Sequence, residues 1–295
     1  MDVAVGEFFG FAFRMIQAHH SSAAPRPSAG RRRFNPSPLL YASAAVHLGA
    51  VATLLGRPAA WHWALGAVVL NHLALVGGGL WPRSRWLGPN WTRLPHAAGA
   101  ARAVAITIDD GPDPCVTPQV LTQLEQHGAR ATFFCVGERV LRHAELAREI
   151  VRRGHSIENH SQRHRHNFSL LGPRGMYEEI ARGQDSIFSV TGNLPRFFRA
   201  PAGLRNPFLE PVLARLNLQL ASWTRRGFDT VNTNPEVVHQ RLVSDLRAGD
   251  ILLLHDGNAA RGRSGMPVIL EVLPQLLATL RERRLEPVTL PSVLA

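Results

Sequence analysis

Residues 103–114 read Ala103-Val104-Ala105-Ile106-Thr107-Ile108-Asp109-Asp110-Gly111-Pro112-Asp113-Pro114. A β-branched apolar run of strand length, 104–108, stops at two adjacent carboxylates and then at residues that make turns. Six further short β-like runs follow, at 131–136, 155–158, 196–199, 219–223, 250–254 and 286–289. Amphipathic helical stretches lie between them, over about 117–127, 139–153, 175–190, 206–217, 235–247 and 267–284. Seven strands joined by helical crossovers predict a parallel sheet, either doubly wound or closed into a barrel. The polar clusters obey one rule. Asp109 and Asp110 follow the first strand, His160 and His164 the third, Arg199 ends the fourth, Trp223 and Asp229 follow the fifth, and His255 the sixth. In a parallel α/β barrel those C-terminal strand ends converge on one face, where active sites are built.

Composition narrows the chemistry. The chain has 295 residues with 33 basic and 22 acidic side chains, and every basic one is Arg. Mechanisms that need a lysine amine, including Schiff-base chemistry and a phosphate-binding P-loop lysine, are excluded. The two cysteines, Cys115 and Cys135, lack a CxxC spacing and are expected to be small buried residues. The first 98 residues hold 9 Arg and 2 acids, or +7, and the remaining 197 hold 24 Arg and 20 acids, or +4. A nucleic-acid binder would concentrate its charge on the folded domain. Here the pI of 11.4 comes mainly from the N-terminal third, so no nucleic-acid partner is expected.

That third also carries two uncharged apolar runs, 39–55 and 63–81, each near the ~20 residues that cross a bilayer as a helix. They predict a transmembrane hairpin with Trp61, Trp63, Trp81 and Trp86 near the interfaces. His47, Asn71, His72 and the glycines at 77–79 would equally suit soluble core helices. The expected organisation is a basic, disordered tail over 1–38, the hairpin over 39–81, a linker over 82–101 and the catalytic domain over 102–295. Arg26 and Arg31 to Arg33 precede the first run and Arg83, Arg85 and Arg93 follow the second, against Arg57 alone between them. The positive-inside rule then predicts a multi-pass protein of a bacterial-type inner membrane with its catalytic domain on the cytoplasmic side.

The clusters carry chemistry of a recognisable sort. Asp109 and Asp110 could form an ordinary turn, but two carboxylates at the end of a buried strand are costly unless something such as a metal ion neutralises one. His160 and His164 are spaced i and i+4, which on a helical turn points both imidazoles one way; a basic, solvated loop with His155, Arg163, Arg165 and His166 is the plainer alternative. Two His and one Asp leave an open position for water, the arrangement of a hydrolytic zinc site. His255 emerges from the apolar run 251–254, with Asp229 available to hold it as an imidazolium general acid.

Together Thr107-Ile108-Asp109-Asp110-Gly111, His160-Ser161-Gln162-Arg163-His164, Arg199-Ala200-Pro201-Ala202-Gly203, Trp223 with Asp229, and Leu253-Leu254-His255 resemble, in order, the five signature motifs of the NodB-like polysaccharide deacetylases, carbohydrate esterase family four. The resemblance spans about 102–290 and implies an α/β fold, a distorted (β/α) barrel of about seven parallel strands preceded here by the helical hairpin. It implies removal of N-acetyl groups from an amino sugar in a polysaccharide or lipid-linked glycan, with a divalent metal: Zn2+, or Co2+, Ni2+ or Fe2+. Carried over motif by motif, Asp109 is the general base, Asp110, His160 and His164 hold the metal, and Arg199 orients Asp109. His255, tuned by Asp229, is the general acid, and the Ala202 backbone N–H assists the oxyanion.

The third motif departs from the family's Arg-Pro-Pro-Tyr-Gly at Ala200 and Ala202, losing an aromatic wall and leaving the subsite to Trp223 and Phe228. The fourth departs from the usual Asp-rich form around Asp229. The expected partners are an N-acetylated glycan or glycolipid and the membrane. A related C–N hydrolase acting on a non-sugar amide, and a catalytically silent sugar-binding protein on the same fold, are the competing expectations.

Overall fold

The computed structural model describes residues 32–95 and 101–294. Two helices come first, α1 (Pro38–Gly56) and α2 (Trp61–Leu80), joined through a short 3-10 turn at Pro58–Ala60. Ser37 caps α1, its hydroxyl accepting from Leu40 N–H at 3.3 Å, and Pro38 occupies the first turn, where no N–H is needed. The two helices pack on each other as a hairpin, and Ser43 and Asn71 are buried between them. Asn71 Nδ2 donates to Ser43 Oγ at 2.9 Å, and His47 stacks edge-on against His72. The first 31 residues of the expected basic tail lie outside the described residues. Arg32 pairs with Glu210 and donates to Leu218 O, and its N–H donates to Asn217 Oδ1 at 3.1 Å.

The domain follows as β1 (Ala103–Asp109), α3 (Thr117–Gln126), β2 (Thr132–Cys135), α4 (Gly137–Arg142), α5 (Ala144–Arg152), β3 (Ser156–Asn159), α6 (Pro173–Thr191), β4 (Phe197–Phe198) and α7 (Leu209–Leu216). It continues with β5 (Gln219–Leu220), β6 (Arg225–Arg226), α8 (Pro235–Val243), β7 (Ile251–His255), α9 (Val268–Glu282) and β8 (Glu286–Val288). All strand pairs are parallel, in the order β5-β4-β3-β2-β1-β7-β6, with β8 beside the start of β1. The sheet curls into a distorted, incompletely closed barrel, as expected. Seven of its strands coincide with the expected runs. The eighth, β6, consists of Arg225 and Arg226, and the helix expected over 139–153 breaks at His143 into α4 and α5.

Alternation along the strands sorts the side chains into two populations. Val104, Ile106, Ile108, Phe133, Leu252 and Leu254 face outward into the helices, where Val120, Leu124, Leu273 and Leu276 cover them. Ala103, Ala105, Phe134, Phe197, Ile251 and Leu253 face inward with Leu94 and Leu290. Continuing the inward series to the strand ends brings Thr107 and Asp109 from β1, Arg199 after β4 and His255 from β7 to one opening.

Residues expected as a linker take part in this core. Trp91 bridges to Ala221 just after β5, Thr92 O accepts from Thr224 Oγ1 at 2.6 Å, and Arg93 bridges to Asp250 just before β7. Arg93 and Arg225 hold the fully buried Asp250 carboxylate at 2.6 and 2.7 Å. The segment thus fills the gap between the two edges of the curled sheet. The end of α2 is fixed as closely. A Cβ at Gly79 would lie 2.2 Å from Arg205 O, so only glycine fits, and Arg205 N–H donates to Gly79 O at 3.2 Å.

Candidate active site

Asp109 is 3% exposed and points into the barrel opening. Its Oδ1 accepts from Arg199 Nη1 at 2.6 Å, and Oδ2 faces His160 Nε2 at 3.9 Å. Arg199 is wholly buried, and each guanidinium nitrogen has a partner: Nη1 also donates to Thr107 Oγ1 at 2.8 Å, Nη2 to Ser222 O at 2.8 Å, and Nε to Ala221 O at 3.2 Å. Its plane lies 4.1 Å over the Phe134 ring. Four donations from a rigid planar group fix the Asp109 carboxylate in direction as well as charge.

Asp110 leaves the strand with φ 74, a left-handed conformation uncommon outside glycine, which swings its carboxylate across the opening. Oδ2 accepts from Asn258 Nδ2 at 2.8 Å. Oδ1 is buried, has no hydrogen-bond donor, and lies 3.2 Å from His160 Nε2 and 3.1 Å from His164 Nε2. His160 Nδ1 sits 2.9 Å from Arg199 O, which can only accept, so Nδ1 carries the proton. In the neutral ring, Nε2 then presents a lone pair to the Asp110 oxygen. Lone pairs face each other unless a cation lies between them. The three ligand atoms fall within 4.8 Å of one another, compatible with the edge of about 3.3 Å in a tetrahedral site with bonds near 2.0–2.1 Å. The Asp110, His160 and His164 cluster can therefore hold a divalent metal. Burial alone would raise the Asp110 carboxyl; positive charge at the His160 and His164 nitrogens, or a cation in their place, holds it below the usual carboxylate range.

The two histidines meet by a route other than the helical turn expected from their spacing. Ser161 and His164 have φ of 65 and 51, so residues 160–164 form a left-handed loop. Asn159 Oδ1 accepts Ser161 N–H at 2.8 Å, and Ser161 Oγ accepts His164 N–H at 3.0 Å. His155 takes no part: it is buried against Phe133 and its Nδ1 accepts Ala131 N–H at 3.2 Å. Burial and the nearby Arg130 and Arg153 push it down to about 4, keeping it neutral.

Across the opening, the fully buried Asp229 clamps His255 with both oxygens, Oδ2 taking the backbone N–H at 2.7 Å and Oδ1 the ring Nδ1–H at 2.9 Å. Nε2 is left as the ring's free nitrogen. Burial would lower the His255 imidazole, but the carboxylates of Asp229, Asp109 and Asp110 together outweigh it and raise it, favouring a protonated donor. Asp109, Asp110, His160, His164, His255, Trp223 and Ala202 all line one cavity of about 200 Å3. Ala202 turns there with φ 54, and Gly203 with φ 74 lets Trp223 and Pro82 close behind it. All nine residues singled out in the sequence thus come together, with Arg199 and Asp229 directly behind the cavity wall.

Known proteins resemble this chain in sequence and in fold. A family model described as polysaccharide deacetylase matches residues 96–221. A peptidoglycan-N-acetylglucosamine deacetylase of Bacillus cereus is 35% identical over 177 residues, covering 59% of this chain and 82% of the relative. The chain belongs to the polysaccharide deacetylase family. A chitooligosaccharide deacetylase of a Bradyrhizobium species is 34% identical over 157 residues, covering 53% of this chain and 71% of its own. A family 4 carbohydrate esterase from Streptomyces lividans, solved with acetate, superposes with a TM-score of 0.57 at 32% identity, covering 63% of this chain and 91% of that one. The deacetylase is accordingly a hydrolase that removes acetyl groups from the amides of amino sugars.

Two residues of the deacetylase site escaped the sequence reading. Asn258 fixes Asp110 and lines the cavity, and Arg226 lines it while stacking over Trp223 and Phe228 at 5.4 and 4.9 Å. The only signal for Asn258 was a polar donor three positions beyond His255. Phe228, expected to shape the subsite, stands outside the cavity and half exposed. Cys115, expected to be buried, is exposed in the turn before α3, where Asp113 Oδ1 accepts its N–H; Cys135 is buried as expected.

Proposed function

We propose that this chain is a membrane-anchored, metal-dependent N-deacetylase acting on an amino sugar of a polysaccharide or lipid-linked glycan and releasing acetate. The observation that carries it is the buried, donorless Asp110 Oδ1 facing two imidazole nitrogens beside an Arg-oriented carboxylate. Asp110, His160 and His164 would hold a divalent metal, zinc by the chemistry of these donors, which would supply Lewis acidity toward the acetamide carbonyl and the attacking water. Asp109 takes the proton from that water through Oδ2, since Oδ1 is occupied by Arg199. His255 delivers a proton to the departing amine from Nε2. The Ala202 backbone N–H and the Trp223 face bound the acetamide.

The hairpin supports the anchor. Both helices are long and apolar enough to cross a bilayer, and few of their residues are buried inside the protein. Soluble core helices would hide these side chains. With both ends of the hairpin at the domain, a single side of the membrane holds the domain and the Arg residues that precede and follow the helices. The positive-inside rule puts that side in the cytoplasm of a bacterial-type cell. A reporter fused to the C-terminus, active only in the cytoplasm, is the expected result. The activity is tested by acetate release from N-acetylated chito-oligosaccharide. It should vanish with a chelator, return with Zn2+, and fall about 10³-fold in Asp109→Asn. Acetate release that withstands chelation, or is undiminished in that variant, overturns the proposal.

A further inference from the structure

A second cavity, of about 260 Å3, adjoins the first. Asp110, His164 and Asn258 line both, so two of the three candidate metal ligands stand where the cavities adjoin. Their linings differ in charge. The second brings together Arg139, Arg142, Arg163 and His166, against Glu138 as its only other acidic side chain.

These cations are held in distinct ways. Arg139 Nη1 donates to Asp110 O at 2.8 Å and Gly257 O at 3.2 Å, which fixes the guanidinium while Nε and Nη2 have no partner among the described residues. Arg163 is braced by Glu179, which accepts from Nε at 2.8 Å and from Nη2 at 2.7 Å, leaving Nη1. Arg142, at the end of α4, is exposed and has no hydrogen bond or ion pair among the described residues. Glu179 offsets Arg163, and Glu138 offsets one more. Asp110, the third acid, turns its carboxylate to the two histidines and Asn258; with its charge taken up by a metal ion, one guanidinium is left without a counter-charge, together with unused donors from all three forks.

A neutral sugar offers hydroxyls and amides, which need no such excess. Converging, part-anchored guanidinium forks match an oxyanion, and several around one pocket match a phosphoryl group better than a single carboxylate. We infer that this cavity is a subsite for a phosphoryl group carried by the amino-sugar substrate, held by Arg139, Arg142 and Arg163 while the acetamide lies against the metal-ligand cluster. The inference rests on the deacetylation proposed above and narrows its substrate to a phosphorylated N-acetylhexosamine. The phosphoryl group can belong to a soluble sugar phosphate or to a lipid-linked one.

The test compares three compounds on the full chain: N-acetylglucosamine 1-phosphate, its long-chain prenyl phosphodiester in detergent micelles, and neutral N-acetylated chito-oligosaccharide. Arg142→Gln should raise KM at least 10-fold for the phosphorylated compounds, with kcat within twofold, and leave KM for the neutral oligosaccharide unchanged. Arg142→Lys should recover part of the loss. Equilibrium binding to Asp109→Asn, with and without Arg142→Gln, should give the same 10-fold difference in Kd with no turnover involved. Tighter binding of the prenyl diester than of the monoester assigns the group to a lipid; equal or weaker binding assigns it to a soluble sugar phosphate. Equal losses on charged and neutral compounds, or none on either, overturn the subsite. Failure of deacetylation is separate, since no compound would then release acetate while the binding comparison still decides the subsite.

Discussion

At the open end of the barrel, Asp109, Asp110, His160, Arg199, Asp229 and His255 are all between 0 and 6% exposed, whereas Leu55, Trp63 and Leu70 of the hairpin are 81, 74 and 69% exposed. One region buries its charges and the other displays its apolar side chains. At the barrel end the buried charges are paired, Arg199 with Asp109 and His255 with Asp229. Every one of those contacts is internal. Most leucines and tryptophans of the hairpin have no such internal partner among the described residues, and the bilayer proposed above would cover them. Its few polar groups follow the opposite rule and pair between or within the helices. Polar groups inside proteins and inside membranes obey the same requirement of satisfaction, and only the surroundings of the apolar residues differ.

The sharpest way to separate the regions is His160→Ala. Metal content measured by mass spectrometry should fall from about one ion per chain toward zero, and turnover should drop at least 10³-fold, while the chain stays in the membrane fraction. Retained metal would break the picture of a three-ligand site. A smaller effect is expected from Asp229→Asn. Asp229 raises the His255 imidazole in the folded enzyme, and the protonated ring is the active donor, so activity is lost as pH rises through that value. Removing the carboxylate should therefore move the alkaline limb of the kcat/KM profile to lower pH. An unmoved limb would show that another group donates the proton. The smallest effect belongs to the hairpin. Asn71→Leu removes the hydrogen bond to Ser43 and should cost about 1 kcal/mol or less of helix pairing in detergent, with acetate release unaffected and carbonate extraction still leaving the chain in the membrane. Release of the variant into the soluble fraction would contradict the bilayer reading.

Much of this was legible in the chain. The strands β1, β2 and β7 announce themselves because they are largely apolar and bounded by turns, and polar residues gathered at strand ends pointed to one face before any geometry was known. The misses have physical causes. Arg225 and Arg226 read as charged surface, yet they join the sheet through backbone bonds to the β7 edge, and Arg225 reaches the buried Asp250. His160 and His164 have helical spacing, but Ser161 and Asn159 offer side-chain acceptors that stabilise a left-handed loop instead. Asn258 lies in Asp256-Gly257-Asn258, a sequence indistinguishable from an ordinary turn. Residues 82–95 look like a tether because their sheet contacts are isolated bridges rather than a strand with its own periodicity.

That segment gives the enzyme a fixed reach. Between the last residue of α2, Leu80, and the cleft wall there is only Trp81 and then Pro82, whose ring packs against Gly203 and whose carbonyl accepts from Ser222 Oγ at 2.7 Å. With the hairpin in a bilayer, no slack exists between anchor and catalytic opening. The cleft would operate at a set height, acting on sugars held near the lipid surface and passing over those farther away. Distance from the membrane would then select the substrate before any subsite touches it.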